Sequence, residues 1–260
     1  MSEPFFYRRI DDDLYESSPW TRGPWSAHHQ HAGPPSALVA GRFDETLDAP
    51  FRIVRVAVEV TRQVPIAPLR LEYSVRRDGR TVKALEGRLY DPDGQLVLTA
   101  DALAIAEEPL DFEPTQPGLD ESGPDDSRPV DFLFRDDDPS YANAMELRFA
   151  RGAFGDGDVM TWFRMRVPLL EGTQPRPLER VLTAADSGNG VSQRLRMEDY
   201  LYMNPDLTVT LYRPARGEWV GLAARTDIDA PGVGLADARL YDTDGPIGRG
   251  LQTLFVRKRT

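Results

Sequence analysis

Apolar and polar residues alternate along several stretches of the chain, and a period of two predicts β-strands. The first set of such stretches, separated by turn signals such as Asp-Gly and Asp-Pro-Asp-Gly, comprises residues 52–62, 69–79, 81–91 and 95–106. The second set comprises residues 207–213, 219–228, 234–242 and 248–259. Short connections join antiparallel strands, so each set predicts an antiparallel meander.

A helical pattern precedes each set of strands. Residues 33–47 begin with Gly-Pro-Pro and continue as an Ala/Leu/Val-rich run, and proline is favoured in the first turn of a helix. Residues 177–190 form the second candidate helix, with one apolar stripe made of Leu178, Val181, Leu182 and Ala185. Both sets therefore share one order, a helix followed by strands.

The two sets are copies of one unit. The phrase RLYDPDG at residues 88–94 returns as RLYDTDG at residues 239–245, which is a shift of 151 residues. The same shift pairs Val58 with Val209 and Leu103 with Leu254 without a gap. A repeat in this register predicts two similar units in one chain.

We predict an N-terminal unit at residues 1–108, a linker at 109–135 and a C-terminal unit at 136–260. The linker is acidic and rich in Pro and Gly, with little apolar periodicity. Each unit is predicted to be α+β, with a helix wrapped by an antiparallel sheet. Open sheet edges pair readily, so we expect the two sheets to join edge to edge.

The composition narrows the classes of function. The chain has 260 residues and a formal net charge of −11, which argues against non-specific nucleic-acid binding. It contains no Cys, which excludes a disulfide, a thiolate nucleophile and a Cys-ligated zinc. The N-terminus lacks the features of a signal peptide, and no window approaches the length of a membrane span. We therefore expect a cytoplasmic protein with no membrane partner.

All three histidines lie in the sequence HHQHAGPP at residues 28–35. His28 and His31 could hold a metal from one helical face, but the flanking prolines argue against a helix, and no later His or Cys completes a ligand set. Main-chain N–H groups at a helix start can instead donate hydrogen bonds to an anion or a thioester oxygen. This predicts His31 and Gly33 as substrate-binding residues. A histidine base remains an alternative, because histidine titrates near neutral pH.

The residues of both copies resemble the double-hotdog acyl-CoA thioesterases of the thioesterase II type. The resemblance rests on HAGPPSALVAG in the first copy and on AADSGNG, MNPDLTVTLYRP, EWVGL and GRGLQTLFVRKR in the second. It covers nearly the whole chain apart from the linker. It implies a double-hotdog fold and a role in lipid metabolism. The implied reaction is hydrolysis of an acyl-CoA thioester by an activated water, without a covalent acyl-enzyme, a metal or a cofactor.

The resemblance also implies three catalytic residues in the second copy. The family's Asp at the end of the helix corresponds to Asp186, and its Gln on the last strand corresponds to Gln252. A hydroxyl residue is usual at the third position, which is Asn204 here. An amide can also donate to or accept from a water. The 151-residue shift places Pro35, Ile53 and Asp101 opposite these three, which predicts one site per chain, carried mainly by the second copy.

Each of these residues also has an ordinary structural interpretation. Asp186 follows Leu182 by four residues, so its carboxylate should be half-buried beside the apolar stripe, but Asp in the sequence ADSGNG could simply cap a turn. Gln252 could be a satisfied glutamine of an edge strand. Asn204 precedes a proline, which is common where a turn begins.

Two functions stay open at this point. One is hydrolysis of acyl-CoA, with water activated by Asp186 and oriented by Asn204 and Gln252. The alternative is a catalytically weak acyl-CoA or acyl-carrier binding protein of the same fold, and either protein could form a homo-oligomer. Several arginines could bind the phosphates of CoA or could simply form a solvated strand face, namely those at 62, 213, 216, 225, 249, 257 and 259.

Overall fold

The first half of the chain forms six strands and one long helix in the computed structural model, which describes residues 3–113, 115 and 118–259. The strands are β1 (Tyr7–Arg9), β2 (Leu14–Ser17), β3 (Phe51–Val60), β4 (Pro68–Asp78), β5 (Val82–Tyr90) and β6 (Leu96–Ala106). Helix α1 spans Gly33–Thr46. The predicted helix and the four predicted strands of this half are confirmed, whereas β1 and β2 were not predicted.

The second half begins with strands that the sequence pattern did not reveal. Its strands are β7 (Arg128–Val130), β8 (Met145–Arg151), β9 (Asp158–Met165), β10 (Tyr200–Met203), β11 (Asp206–Leu211), β12 (Trp219–Asp229), β13 (Val233–Asp242) and β14 (Gly245–Lys258). Its helices are α2 (Tyr141–Ala144), α3 (Pro177–Ala185) and α4 (Gly188–Val191). The helix predicted at 177–190 is therefore interrupted at Asp186 and Ser187.

All the strands belong to one antiparallel sheet, as predicted from the open edges. Its order is β1-β2-β4-β5-β6-β3-β11-β14-β13-β12-β9-β8-β7, and β10 pairs with the end of β14. The two halves meet where β3 pairs with β11, and Ala57 lies opposite Thr208. These two residues are 151 positions apart, so the sequence repeat corresponds to a pseudo-twofold axis between them.

Helices α1 and α3 pack antiparallel on the sheet, since the start of α1 meets the end of α3. A β-carbon at Gly33 would lie 2.4 Å from the main-chain oxygen of Thr183, and one at Gly41 would lie 2.5 Å from Oε1 of Glu179. Glycine therefore permits the close contact. One core cluster contains residues of both halves, including Leu38 of α1 and Leu182 of α3. Across the ranges described here, no helix is long and apolar enough to cross a membrane.

The stretch predicted as a linker, 109–135, is only partly irregular. Its second half holds a 3-10 turn at Pro124–Asp126 and strand β7, which pairs with β8 at the edge of the sheet. Phe132 is buried in the core. Positions 114, 116 and 117 of this stretch lie outside the described residues.

The repeat register does not extend from the strands to the helices. Helices α1 and α3 begin at residues 33 and 177, which are 144 positions apart rather than 151. Only residues 47–50 separate α1 from β3, whereas residues 186–205 separate α3 from β11, the counterpart of β3. The longer connection in the second half accounts for the offset, so the pairing of Pro35 with Asp186 is wrong.

Candidate active site

Asp186 lies at the end of α3, where the helix stops before the turn that leads into α4. Leu182, four residues earlier on the apolar stripe, faces the sheet, so the carboxylate of Asp186 points to the same side. Only 4% of Asp186 is exposed, so the residue is more deeply buried than the predicted half-burial. A carboxylate at this depth needs hydrogen-bond partners.

Two amide side chains from distant parts of the sequence supply such partners. Nδ2 of Asn204, in the break between β10 and β11, donates to Oδ1 of Asp186 at 2.7 Å. Nε2 of Gln252, on β14, donates to the main-chain oxygen of Asp186 at 3.0 Å and to Oδ1 at 3.3 Å. The structure therefore brings together the three residues that the resemblance implied.

Asn189 closes this cluster from the start of α4. Its main-chain N–H donates to Oε1 of Gln252 at 3.0 Å, and its Nδ2 lies 3.5 Å from Oδ1 of Asn204. The amide of Gln252 thus bridges Asp186 and α4, and all of its contacts lie on the inner face of β14. Gln252 does not line the cavity described below, so it holds the carboxylate from behind.

The first half of the chain adds His31, just before α1. Its Nδ1 lies 3.1 Å from Oδ2 of Asp186, and its ring stacks on Tyr141 with centroids 3.7 Å apart and planes 3° apart. Burial lowers the pKa of His31, and the negative charge of Asp186 opposes this shift only in part. His31 is therefore a neutral imidazole at neutral pH.

Nδ1 of His31 has a second neighbour, the main-chain N–H of Gly33, also at 3.1 Å. A neutral ring nitrogen cannot both accept from that N–H and donate to the carboxylate. A lone pair of Nδ1 facing Oδ2 would be repelled by the carboxylate charge, so we place the proton on Nδ1, where it is donated to Asp186. Gly33 itself is buried behind His31 and does not line the cavity, although it was predicted to contact substrate.

Tyr141 holds the ring of His31 in place. Its hydroxyl donates to the main-chain oxygen of Thr183 at 2.8 Å and lies 2.8 Å from Oγ of Ser187. Burial raises the pKa of Tyr141, so its side chain stays a neutral phenol. Stacking at this distance fixes the plane of the imidazole and so directs Nδ1 at Asp186.

A cavity of about 540 Å³ opens beside this cluster. Asp186, Asn204 and His31 line it directly. Its other buried lining residues are the apolar or aromatic Val64, Phe132, Val191 and Tyr202 and the polar Gln30, Ser187, Asn189 and Gln193. Its exposed lining residues include Trp25, Leu133, Met203 and Phe255. A mainly apolar cavity with a few convergent polar groups is the usual form of a small-molecule site.

The other two histidines take no part in the Asp186 cluster. His28 is exposed, and Nδ1 of His29 lies 2.9 Å from Oγ of Ser26 at the edge of the cavity. In the portion of the chain that the structure covers, no three His, Asp or Glu side chains are grouped so that they could hold a metal ion.

Sequence reasoning missed two members of the site. Asn189 lies in the AADSGNG motif, which was interpreted only through Asp186, and the motif itself was the signal that could have found it. Tyr141 lies just after the stretch predicted as a linker and carries no sequence signal of its own. The contact between His31 and Asp186 joins the two halves of the chain, and the sequence pattern within either copy gives no signal for it.

The comparisons with protein families agree across both halves. A family model described as the acyl-CoA thioesterase C-terminal domain matches residues 124–256, which is more than half of the chain. A second model, the acyl-CoA thioesterase N-terminal domain, matches residues 21–105. No curated protein matches the chain.

Solved structures show the same fold. A protein of Novosphingobium aromaticivorans, provisionally named a thioesterase, is 20% identical, with 96% of this chain and 98% of that chain covered and a TM-score of 0.75. A protein of unknown function with a hot dog fold from Alicyclobacillus acidocaldarius is 13% identical, with 97% and 96% covered and a TM-score of 0.75. The acyl-CoA thioesterase II TesB2 of Mycobacterium marinum is 14% identical, with 98% and 96% covered and a TM-score of 0.65. The predicted α+β double hotdog is confirmed.

Proposed function

Because the chain belongs to the acyl-CoA thioesterase family, we propose that it hydrolyses acyl-CoA thioesters in the cavity beside Asp186. The observation that carries this proposal is the buried carboxylate of Asp186, which faces the cavity and is held by Asn204, Gln252 and His31. A positioned carboxylate next to an apolar cavity is suited to act as a general base on water.

The hydrogen bonds leave one place for that water. A carboxylate has about four lone-pair positions. On Oδ1 two are taken, by Nδ2 of Asn204 and Nε2 of Gln252, and on Oδ2 one is taken, by Nδ1 of His31. The remaining position on Oδ2 can accept a proton from a water in the cavity.

In the proposed reaction the water oxygen attacks the thioester carbonyl carbon while Asp186 takes one proton from the water. The tetrahedral intermediate then collapses, the carbon–sulfur bond breaks, and the thiolate of CoA leaves with the proton that Asp186 accepted. The products are the free acid and CoA. Asn204 lines the cavity, so its amide is an uncharged donor within reach of the reacting groups.

Gln252 and His31 are positioning residues in this proposal. Gln252 fixes the carboxylate from behind, and His31 fixes Oδ2 through Nδ1. The C-terminal unit thus supplies Asp186, Asn204 and Gln252, while the N-terminal unit contributes His31 and the cavity wall. We further propose an acyl-CoA donor, a place in lipid metabolism and a cytoplasmic location. In that setting the reaction would release a free fatty acid from its CoA thioester.

The test is release of free thiol from acyl-CoAs between acetyl and palmitoyl. We expect the wild type to release thiol, and Asp186→Asn to lower kcat by roughly 10²- to 10⁴-fold, which is the usual contribution of a general base. Gln252→Ala should lower kcat by less, because it removes support rather than the base. Asp93→Asn, which changes an exposed carboxylate in the β5–β6 turn, is the matched control and should match the wild type.

The outcomes separate hydrolysis from binding. Loss of turnover in Asp186→Asn with an unchanged melting temperature supports the base. Full turnover in Asp186→Asn would remove Asp186 from the mechanism. If the folded wild type binds CoA but cleaves no acyl-CoA, the protein is the acyl-CoA or acyl-carrier binding protein that the amide at position 204 leaves open.

A further inference from the structure

The opening of the cavity carries positive charge in a chain whose net charge is −11. We propose that Arg62 and Arg259 form a phosphate-binding subsite there, which holds the phosphorylated end of the pantetheine donor while the thioester reaches Asp186. This inference rests on the proposed function for the identity of the donor. It adds the two arginines that bind the phosphate, and it places the phosphate at the opening of the cavity and the thioester at the inner end.

The charges of the cavity wall favour an anion at its opening. Among the described residues that line the cavity, Asp186 is the only one with a carboxylate, and that residue is buried at the inner end. Arg62 is the only Arg or Lys in the same set and is exposed. A phosphate at the opening would therefore meet a cation first and would stay away from Asp186.

Arg62 follows β3, in the loop that forms one rim of the opening. Its main-chain N–H donates to the oxygen of Val97, which fixes the backbone. In the part of the chain that the structure describes, its guanidinium has no carboxylate or carbonyl partner. The planar group is thus free to bind a phosphate through two N–H donors.

Arg259 comes from the other half of the chain, directly after β14. Its guanidinium lies 5.8 Å from the ring centroid of Trp25, which lines the cavity and is 38% exposed. Its Nε donates to the main-chain oxygen of Met197, another lining residue, at 2.9 Å. These contacts anchor the guanidinium at the rim, and its two terminal nitrogens have no hydrogen-bond partner among the described residues.

The other candidate arginines are engaged elsewhere. Arg213 is partly buried and forms a paired contact with the buried Asp242, with Nη2 to Oδ1 at 2.6 Å. The remaining partners are Asp244 for Arg216 at 3.2 Å, Asp227 for Arg225 at 3.0 Å, Asp237 for Arg249 at 3.9 Å, and the oxygen of Pro231 for Arg257 at 3.1 Å. Within the seven candidates, Arg62 lines the cavity and Arg259 contacts two of its lining residues, and neither guanidinium has a carboxylate partner among the described residues.

The experiment compares thioesters that carry one acyl chain on different thiols. The chain is the one that the wild type cleaves fastest, and the thiols are CoA, 4′-phosphopantetheine and N-acetylcysteamine, which has no phosphate. We expect Arg62→Ala and Arg259→Ala each to raise KM for the acyl-CoA about ten-fold, the loss of one charge-assisted phosphate contact. KM for the N-acetylcysteamine thioester should not change. Arg80→Ala, an exposed arginine of the β4–β5 turn, is the control.

The thiol series also identifies the phosphate. An increase in KM for both CoA and 4′-phosphopantetheine thioesters assigns the pantetheine phosphate, which a carrier protein would also present. An increase for CoA alone assigns the nucleotide phosphates. Equal changes for the CoA and N-acetylcysteamine thioesters would overturn the subsite.

Binding of CoA itself, measured by titration calorimetry, keeps this test independent of turnover. If the proposed hydrolysis fails, weaker CoA binding in both arginine variants still supports the subsite. If Asp186→Asn abolishes hydrolysis but the arginine variants bind CoA as tightly as the wild type does, the subsite is wrong and the proposed function stands.

Discussion

The side chain of Asp186 contacts residues from both halves of the chain. Its carboxylate contacts two amides of the second half and the imidazole of His31 from the first. Burial of a charge is tolerated only with such partners. The partners also decide its chemistry, since three occupied positions leave one acceptor position directed at the cavity. A mutation of any partner therefore affects both the stability of the site and its geometry.

His31 links this site to pH. Burial lowers the pKa of His31 in the folded protein below its value in the unfolded chain, about 6.5. Below that value the unfolded state binds more protons than the folded state. The free energy of unfolding therefore keeps its full His31 contribution above pH 6.5 and loses it as the pH falls from 6.5 through the folded pKa. The slope contributed by one such group is at most about 1.4 kcal/mol per pH unit.

His31→Phe should remove this contribution, because a phenyl ring can keep the stack on Tyr141 but does not titrate. The free energy of unfolding of wild type and variant, measured in denaturant at pH 5, 6 and 7, should differ in slope. We expect the wild type to lose more stability than the variant on acidification. Parallel pH curves would show that the buried imidazole is protonated equally in both states.

Helix packing is the feature that positions the site at the scale of elements. The N-terminus of α1 meets the C-terminus of α3, which places His31 of one half opposite Asp186 of the other. Gly33 makes this approach possible, because a β-carbon there would lie 2.4 Å from the main-chain oxygen of Thr183. Neither backbone can move without shifting a helix.

Gly33→Ala should therefore destabilise the protein by about 1–3 kcal/mol, the usual cost of overpacking. For a chain of this size that corresponds to a melting temperature lower by several degrees, roughly 2–4 °C per kcal/mol. Gly190→Ala in α4 is the matched control, because its β-carbon would meet nothing within 4 Å. Thermal unfolding of both variants checks this, and equal melting temperatures would contradict the proposed tight contact.

The sequence patterns predicted strands better than they predicted the contacts between elements. Long alternating runs such as β4 and β12 were found with ends that agree closely with the structure. Strand β9 was missed because five consecutive residues in it are buried and show no alternation, whereas β8 does alternate and was overlooked. Asp186, Asn204 and Gln252 were predicted only through the family resemblance. His31 was predicted from its place before a helix start, but its contact with Asp186 was not predicted.

The whole molecule behaves as two copies that share one sheet and one core. The pairing of β3 with β11 continues the hydrogen bonds of one sheet into the other. The packing of α1 on α3 and a core cluster drawn from both halves hold the copies together on the inner side. The predicted units at 1–108 and 136–260 therefore depend on one another for their buried surface, while residues 107–113, at the start of the connection between them, are exposed.

This arrangement predicts that the covalent connection can be cut without loss of function. Leu110 and Phe112 are 72% and 60% exposed, so a protease recognition sequence in place of residues 110–113 should leave the core unchanged. After cleavage we expect the two fragments to elute together in size-exclusion chromatography and to retain thiol release, because His31 and Asp186 stay in contact across the interface between the halves. The uncut variant is the control for the insertion itself. Fragments that separate at micromolar concentration would show that the connection, rather than the shared sheet and core, holds the two halves in register.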